Sequence, residues 1–288
     1  RGEVFGMLGP NGAGKTTTMR MLACFLPPTR GVVTIAGLDI VRDSLEVRKI
    51  VGYMPESVPL YHDMRVHDYL RFRAKLKGLS GMRRRDRIND VIEQCGLTSV
   101  SRSIIGRLSK GYRQRIGLAD SLIHEPRLLL LDEPTIGLDP NQTRLTRSLI
   151  KSLAQRHTVL FSTHILSEVE LLCDRVLIMD KGHIVAFDTP AHLVESFNGA
   201  ARIRAEIMGP VEDILETCRA LRGARSVSGT SERAWATLIV ESEPGNDVRA
   251  DIAAVASSRA WPLRELKVLP GGNLEDVFVE MTKEEKNA

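Results

Sequence analysis

The chain holds 288 residues, 43% of them apolar and 26% charged, with a formal net charge of +4. That length suits one large or two modest domains with a buried core, and the composition is that of an ordinary soluble protein. No apolar run approaches the ~18 residues needed to cross a bilayer, so any membrane role is second-hand.

The four cysteines, Cys24, Cys95, Cys173 and Cys218, are widely spaced and form no CxxC pair. This argues against a metal or disulfide framework and fits a reducing compartment. No signal peptide is visible. Charge is uneven: residues 200–288 carry 12 Lys+Arg against 15 Asp+Glu, and residues 1–199 carry 28 against 21. The sequence opens at Arg1, in a turn entering a strand, with no initiating Met, and reads as a fragment.

In chain order, Val4 to Leu8 reads as a buried strand. Met19, Leu22, Ala23 and Leu26 follow at helical spacing behind Lys15, with Pro27-Pro28 as the stop. Strand-like "GVVTIAG" and "KIVGYMP" come next. Residues about 62–124 change to amphipathic helical patterns, one carrying Val66, Tyr69, Leu70 and Phe72, another Ile88, Val91, Ile92 and Cys95. Strands return at "RLLLLDEP" and "HTVLFSTH", each leading into a helical stretch. Such alternation predicts a parallel α/β sheet interrupted by a helical insertion.

After Phe197-Asn198-Gly199 the pattern restarts as β-α-β-β-α-β, with a weak strand near Arg225 to Val227 and a last helix at "LEDVFVEMTKEE". The expected organisation is a first domain over 1–198, containing the helical insertion, and a small ferredoxin-like domain over 199–288. Trp235 and Trp261 read as core or interface residues, and no residue set in the second domain converges on a site.

Gly9 to Thr16 fits GxxxxGK[ST] between a strand and a helix. Glycines let successive backbone N–H groups converge on one concavity, and the following helix adds its positive end. The expected phosphate-binding set is Asn11, Gly12, Ala13, Gly14, Lys15, Thr16 and Thr17. Lys15 supplies charge to the β- and γ-phosphates, and the Thr16 hydroxyl can ligate Mg²⁺.

"LLLLDEPT" ends a buried strand in two acids, aimed at the sheet edge where ligands collect in α/β folds. Asp132 is expected to hold Mg²⁺ and Glu133 to polarise the attacking water. His164, ending "VLFSTH", can reach the γ-phosphate from a second strand.

The segment from Arg107 to Pro126, "RLSKGYRQRIGLADSLIHEP", resembles the signature of ATP-binding cassette (ABC) proteins, with Leu108 to Tyr112 where LSGGQ is usual. "GLDP" at Gly137 to Pro140 resembles the D-loop, and His164 the switch histidine. "GYMPESVPLYHDMRVHDYLRF", "LIHEP" and "GLDPNQ" are similar to the ATPase subunit associated with bacterial gliding motility, a branch of the ABC-2-type exporter ATPases.

The resemblance implies a P-loop NTPase with ATP and Mg²⁺ as ligands. Two copies would close head to tail, so that Ser109 and Gly111 of one face the nucleotide in the other's cradle, with Asp139 at the same junction. It further implies a separate polytopic membrane permease as partner, export as the direction, and a place on the cytoplasmic face of the bacterial inner membrane. Three departures stand out. The Q-loop position is Glu56, not Gln, which can accept from a water or approach Mg²⁺ but adds negative charge. Lys110 and Tyr112 replace Gly and Gln in the signature. The aromatic that stacks on adenine is absent, as a missing N-terminal piece would explain.

A rival reading is a soluble ABC ATPase acting on nucleic acid or ribosomes, to which the basic run Arg83-Arg84-Arg85-Asp86-Arg87 could contribute. No second cassette or long coiled coil accompanies it, and a nucleic-acid partner is not expected.

Overall fold

A computed structural model describes residues 2–197, 202–232, 234–243, 246–269 and 274–283. The chain divides into two compact units, Arg1–Pro190 and Ala191–Ala288.

The first unit is organised by one six-stranded sheet. Its strands are β1 (Val4–Leu8), β4 (Val51–Met54), β5 (Leu128–Asp132), β6 (Thr158–Thr163), β7 (Arg175–Asp180) and β8 (His183–Asp188), in the order β4-β5-β6-β1-β7-β8. All neighbours are parallel except β8, which runs back along β7 as an exposed edge. The run of leucines in β5 follows from its place inside a parallel sheet. Leu129, Leu130 and Leu131 are fully buried because helices cover both faces. Two short strands, β2 (Thr34–Ile35) and β3 (Leu38–Asp39), form a separate hairpin.

The helices of this unit are α1 (Lys15–Leu22), α2 (Ser44–Ile50), α3 (Val66–Leu76), α4 (Gly81–Gln94), α5 (Lys110–Leu122), α6 (Pro140–Ala154) and α7 (Leu166–Leu172). Of these, α3, α4 and α5 make up the helical insertion. Val66, Tyr69, Leu70 and Ala74 of α3 join Ile88, Val91 and Ile92 of α4 and Ile116, Leu118 and Leu122 of α5 in one core that continues to Leu129 and Leu131. Truncating one of these leucines to alanine costs about 2–5 kcal/mol.

Three local expectations are corrected. Helix α1 stops at Leu22, not at Pro27. Cys24 turns left-handed, with φ 58°, and the Phe25 amide closes on the Arg20 carbonyl at 2.8 Å. Only Thr34 and Ile35 of "GVVTIAG" are strand, because Ala36 and Gly37 both take positive φ and turn the chain into β3. The hairpin of β7 and β8 is an addition that the strand signals did not single out.

The second unit begins within α8 (Pro190–Phe197), which the sequence reading assigned to the first domain; Asn198 and Gly199 lie outside the described residues. Then come β9 (Arg202–Met208), α9 (Val211–Arg219), β10 (Ala224–Glu232), β11 (Trp235–Ser242), α10 (Arg249–Ser258), β12 (Leu263–Val268) and α11 (Leu274–Lys283). The sheet order is β10-β11-β9-β12, antiparallel at every pairing. That is the split β-α-β arrangement of ferredoxin-like folds.

Alternate residues Ile203, Ala205 and Ile207 face a core shared with Ile214 and Cys218 of α9 and Ile252 of α10. The weak strand signal at Arg225 to Val227 belongs to a nine-residue strand. Trp261 packs against this core, while Trp235 is half-buried with the Arg264 guanidinium 4.5 Å from its ring centre. The last helix is described to Lys283, so Glu284 and Glu285 fall outside the described residues. No helix among the described residues is long and apolar enough to cross a membrane.

Candidate active site

The carboxyl ends of β1, β5 and β6 lie side by side, and each releases the chain into a loop that carries candidate residues. This is the sheet edge at which open α/β folds bind ligands. From β1 the chain curls through Gly9 to Gly14. Gly12 (φ 85°) and Gly14 (φ 98°) take left-handed backbone, and a Cβ on Gly9 would sit 2.5 Å from the Met179 carbonyl. The Ala13 carbonyl accepts from the Gly182 amide at 3.0 Å, pinning the loop. Asn11, Gly12 and Thr17 are exposed, and Ala13 is buried.

Lys15 opens α1 only 5% exposed. Its Nζ donates to the carbonyls of Gly9 at 2.7 Å and Pro10 at 3.1 Å, and lies 3.7 Å from Glu133 Oε1. A lysine ammonium folded back over its own loop in this way sits above a concavity of backbone N–H groups, suited to phosphate oxygens.

Asp132, the last residue of β5, is completely buried. Its Oδ1 accepts from Ser162 Oγ at 2.6 Å and from Thr16 Oγ1 at 3.2 Å. Its Oδ2 is buried without a hydrogen-bond partner. An unpaired buried carboxylate oxygen is costly unless a ligand completes it. With the Thr16 hydroxyl beside it, the donor set is all hard oxygen, which fits Mg²⁺. The charge of Asp132 reaches Tyr53, whose hydroxyl is pushed up in pKa by burial first and by that carboxylate second.

Glu133 is held in left-handed backbone, φ 47°, strained for a residue with a side chain. Its amide donates to Ser162 Oγ at 3.0 Å, and its Oε2 lies 3.0 Å from His164 Nδ1. The carboxylate is 7% exposed and the imidazole 40%, so a buried acid is flanked by a ring that solvent and ligand can reach.

The structure therefore brings Lys15, Thr16, Asp132, Glu133 and His164 together. Glu56 makes no side-chain hydrogen bond or ion pair with them among the described residues, although β4, which leads to it, lies beside β5. Its side chain is exposed, and its segment is tied instead by the Glu56 carbonyl accepting from Gln114 Nε2 at 3.4 Å.

Ser109 and Asp139 sit at the starts of two other helices. Ser109 is the N-cap of α5, accepting from the Tyr112 amide at 3.5 Å, and Asp139 is the N-cap of α6, accepting from the Gln142 amide at 3.0 Å. Both are exposed. Gly111 is buried against Gln142, whose Oε1 would be 2.8 Å from any added Cβ and which also accepts from Arg115 at 2.8 Å. A Cβ on Gly137 would meet Lys110 Nζ.

Sequence reasoning passed over Ser162 and Gln142. The signal for Ser162 was a hydroxyl residue directly after the apolar run Val159-Leu160-Phe161, in register with Asp132 on β5 and Met7 on β1.

The phosphate loop, the acids closing a buried strand and the histidine on the next strand define a P-loop ATPase. A family profile described as "ABC transporter" matches residues 1–136, and one described as "AAA domain, putative AbiEii toxin, Type IV TA system" matches 103–170. The linearmycin resistance ATP-binding protein LnrL of Bacillus subtilis (strain 168) is 32% identical over 98% of this chain and 90% of its own length. The ABC transporter ATP-binding protein NatA of the same organism is 38% identical over 68% of this chain and 80% of its own. The bacitracin transport ATP-binding protein BcrA of Bacillus licheniformis is 39% identical over 64% of this chain and 60% of its own. A solved ATP-binding subunit of an ABC transporter superposes with a TM-score of 0.62 at 30% identity, over 68% of this chain and 82% of that one.

The chain belongs to the ATP-binding subunits of ABC transporters, ATPases that power transport. Subunits of this family dimerise and work with membrane permeases.

Proposed function

We propose that this chain is the ATPase subunit of an ABC-2-type exporter, in the branch that resembles the gliding-motility-associated ATPases. It would act at the cytoplasmic face of a bacterial inner membrane, held there by its permease. The observation carrying this reading is the Asp132–Ser162–Glu133–His164 cluster facing the Lys15 loop. Export is supported by relatives named for linearmycin resistance and bacitracin transport.

In this reading the loop amides and Lys15 hold the β- and γ-phosphates of ATP. Thr16 and Asp132 hold Mg²⁺, which when bound neutralises charge on the phosphates. Glu133 accepts the proton of the attacking water, whose oxygen bonds to the γ-phosphorus as the bond to the β-phosphate breaks and ADP leaves. His164 fixes the Glu133 carboxylate and senses the γ-phosphate. Ser109, Gly111 and Asp139 serve the nucleotide of a second copy, for which the exposed N-termini of α5 and α6 are suited.

The test is a search of the adjacent genes for a multi-spanning membrane protein, followed by its co-expression with this chain. The expected result is a stable complex in which that protein changes the rate of Mg-dependent ATP hydrolysis. Hydrolysis that responds to RNA or ribosomes, and not to the membrane protein, would overturn the reading in favour of the soluble alternative.

A further inference from the structure

Behind Glu133 and His164 lies a third acid, Glu168, in the first turn of α7. Its side chain is 0% exposed, and both carboxylate oxygens are occupied. Oε2 accepts from the Thr163 hydroxyl at 2.8 Å. Oε1 accepts from Arg147 of α6, from Nη2 at 3.2 Å and Nε at 3.4 Å.

The Thr163 hydroxyl has a second partner. While donating to Glu168 it accepts from the Ile165 amide at 3.0 Å, so one oxygen braces the backbone on either side of His164. The acid settles which way that hydroxyl points: a carboxylate can only accept, so the proton goes to Glu168 and a lone pair is left for the amide. Thr163 is itself fully buried at the end of β6. The His164 ring, 40% exposed, has one polar contact among the described residues, with Glu133 Oε2 at 3.0 Å. A ring so open to solvent takes its aim from the backbone that carries it.

A buried ion pair such as Arg147–Glu168 is weak evidence for stability, because apolar side chains of similar volume often serve as well. Its hydrogen bonds lead instead to the turn that presents His164. We propose that Glu168 is a positioning residue for ATP hydrolysis, which through the Thr163 hydroxyl sets that turn and keeps the imidazole within reach of Glu133. Arg147 balances the buried charge and occupies the oxygen that Thr163 does not use. The inference rests on the reading of Glu133 and His164 as the hydrolytic pair and adds what holds the histidine in place.

Steady-state and single-turnover kinetics of the full chain test it. Thr163→Val removes the hydroxyl with little change of shape and leaves Arg147 on Glu168. The expected result is a kcat at least ~10-fold lower with the KM for ATP within about twofold, since a displaced group costs rate more than binding. Thr163→Ser restores the hydroxyl and most of kcat. Glu168→Gln, which turns an N–H towards one of its two donors, slows hydrolysis in the same way. Circular dichroism and thermal melts confirm folding, and the Thr163 pair decides the matter if Glu168→Gln does not fold.

A double-mutant cycle separates aiming from mere support. On a His164→Ala background Thr163→Val has no further effect on kcat, because no ring is left to aim. A clamp that only held α6 to α7 would cost activity with or without the ring. Parent kcat in Thr163→Val, or a loss repeated in full on the His164→Ala background, overturns the proposal. The underlying reading fails separately. His164→Ala at the parent rate removes the histidine from the reaction and this role with it. A slow His164→Ala beside an unimpaired Thr163→Val keeps the hydrolytic pair and loses the part of Glu168.

Discussion

Ser162 donates a 2.6 Å hydrogen bond to Asp132 from the neighbouring strand, and the same hydroxyl accepts the Glu133 amide at 3.0 Å. One side chain thus fixes the orientation of one acid and the strained backbone of the next. Ser162→Ala should destabilise the chain by about 1–3 kcal/mol, since it leaves the buried Glu133 amide unpartnered and leaves Asp132 Oδ1 with Thr16 as its one remaining donor. It should also slow ATP hydrolysis. Ser162→Thr keeps the hydroxyl on a strand position suited to β-branching, so it should recover most of both. Urea titration and steady-state kinetics check the pair.

Glu133→Gln should lower kcat at least ~10²-fold while ATP still binds. With hydrolysis stalled, ATP should hold the variant as a dimer in light scattering. A monomer under those conditions would count against the shared site at Ser109 and Asp139.

Lys15→Ala should weaken nucleotide binding. The rise in Tm that ATP gives the parent chain should shrink or vanish in the variant, because a ligand stabilises only in proportion to its occupancy. Equal shifts would contradict the phosphate assignment.

His124 offers a pH prediction. Burial first, and the charge of Lys77 next, push its pKa from 6.5 down to about 4, while its Nε2 pairs with the Val51 carbonyl at 3.0 Å. The unfolded chain therefore binds this proton more readily than the folded one. Stability from the neutral ring is fully present above pH 6.5 and is lost as pH falls from 6.5 towards 4, by roughly 3 kcal/mol. His124→Gln retains a donor for Val51 and should flatten that limb in urea titrations at stepped pH.

Much of the catalytic edge was legible because local chemistry dictates it. A glycine-rich curl before Lys15 and two acids after four leucines need no tertiary information to be read. What escaped was set by cross-strand register or by turn geometry. Ser162 matters only because β6 lies between β5 and β1. The early stop of α1 depends on Cys24 adopting a conformation its side chain does not advertise. Gln142 is an ordinary polar helix residue until α6 lies against Gly111. Glu56 shows the converse: a position matched by motif whose side chain the fold leaves in solvent.

The clasp between Gln142, Gly111 and Arg115 has an evolutionary corollary. Two stretches some thirty positions apart are cut to one another's shape, so neither is free to drift alone. A bulkier residue after Lys110 would have to arrive together with a smaller one early in α6, and grafting either stretch from a relative would succeed only when its counterpart travels with it.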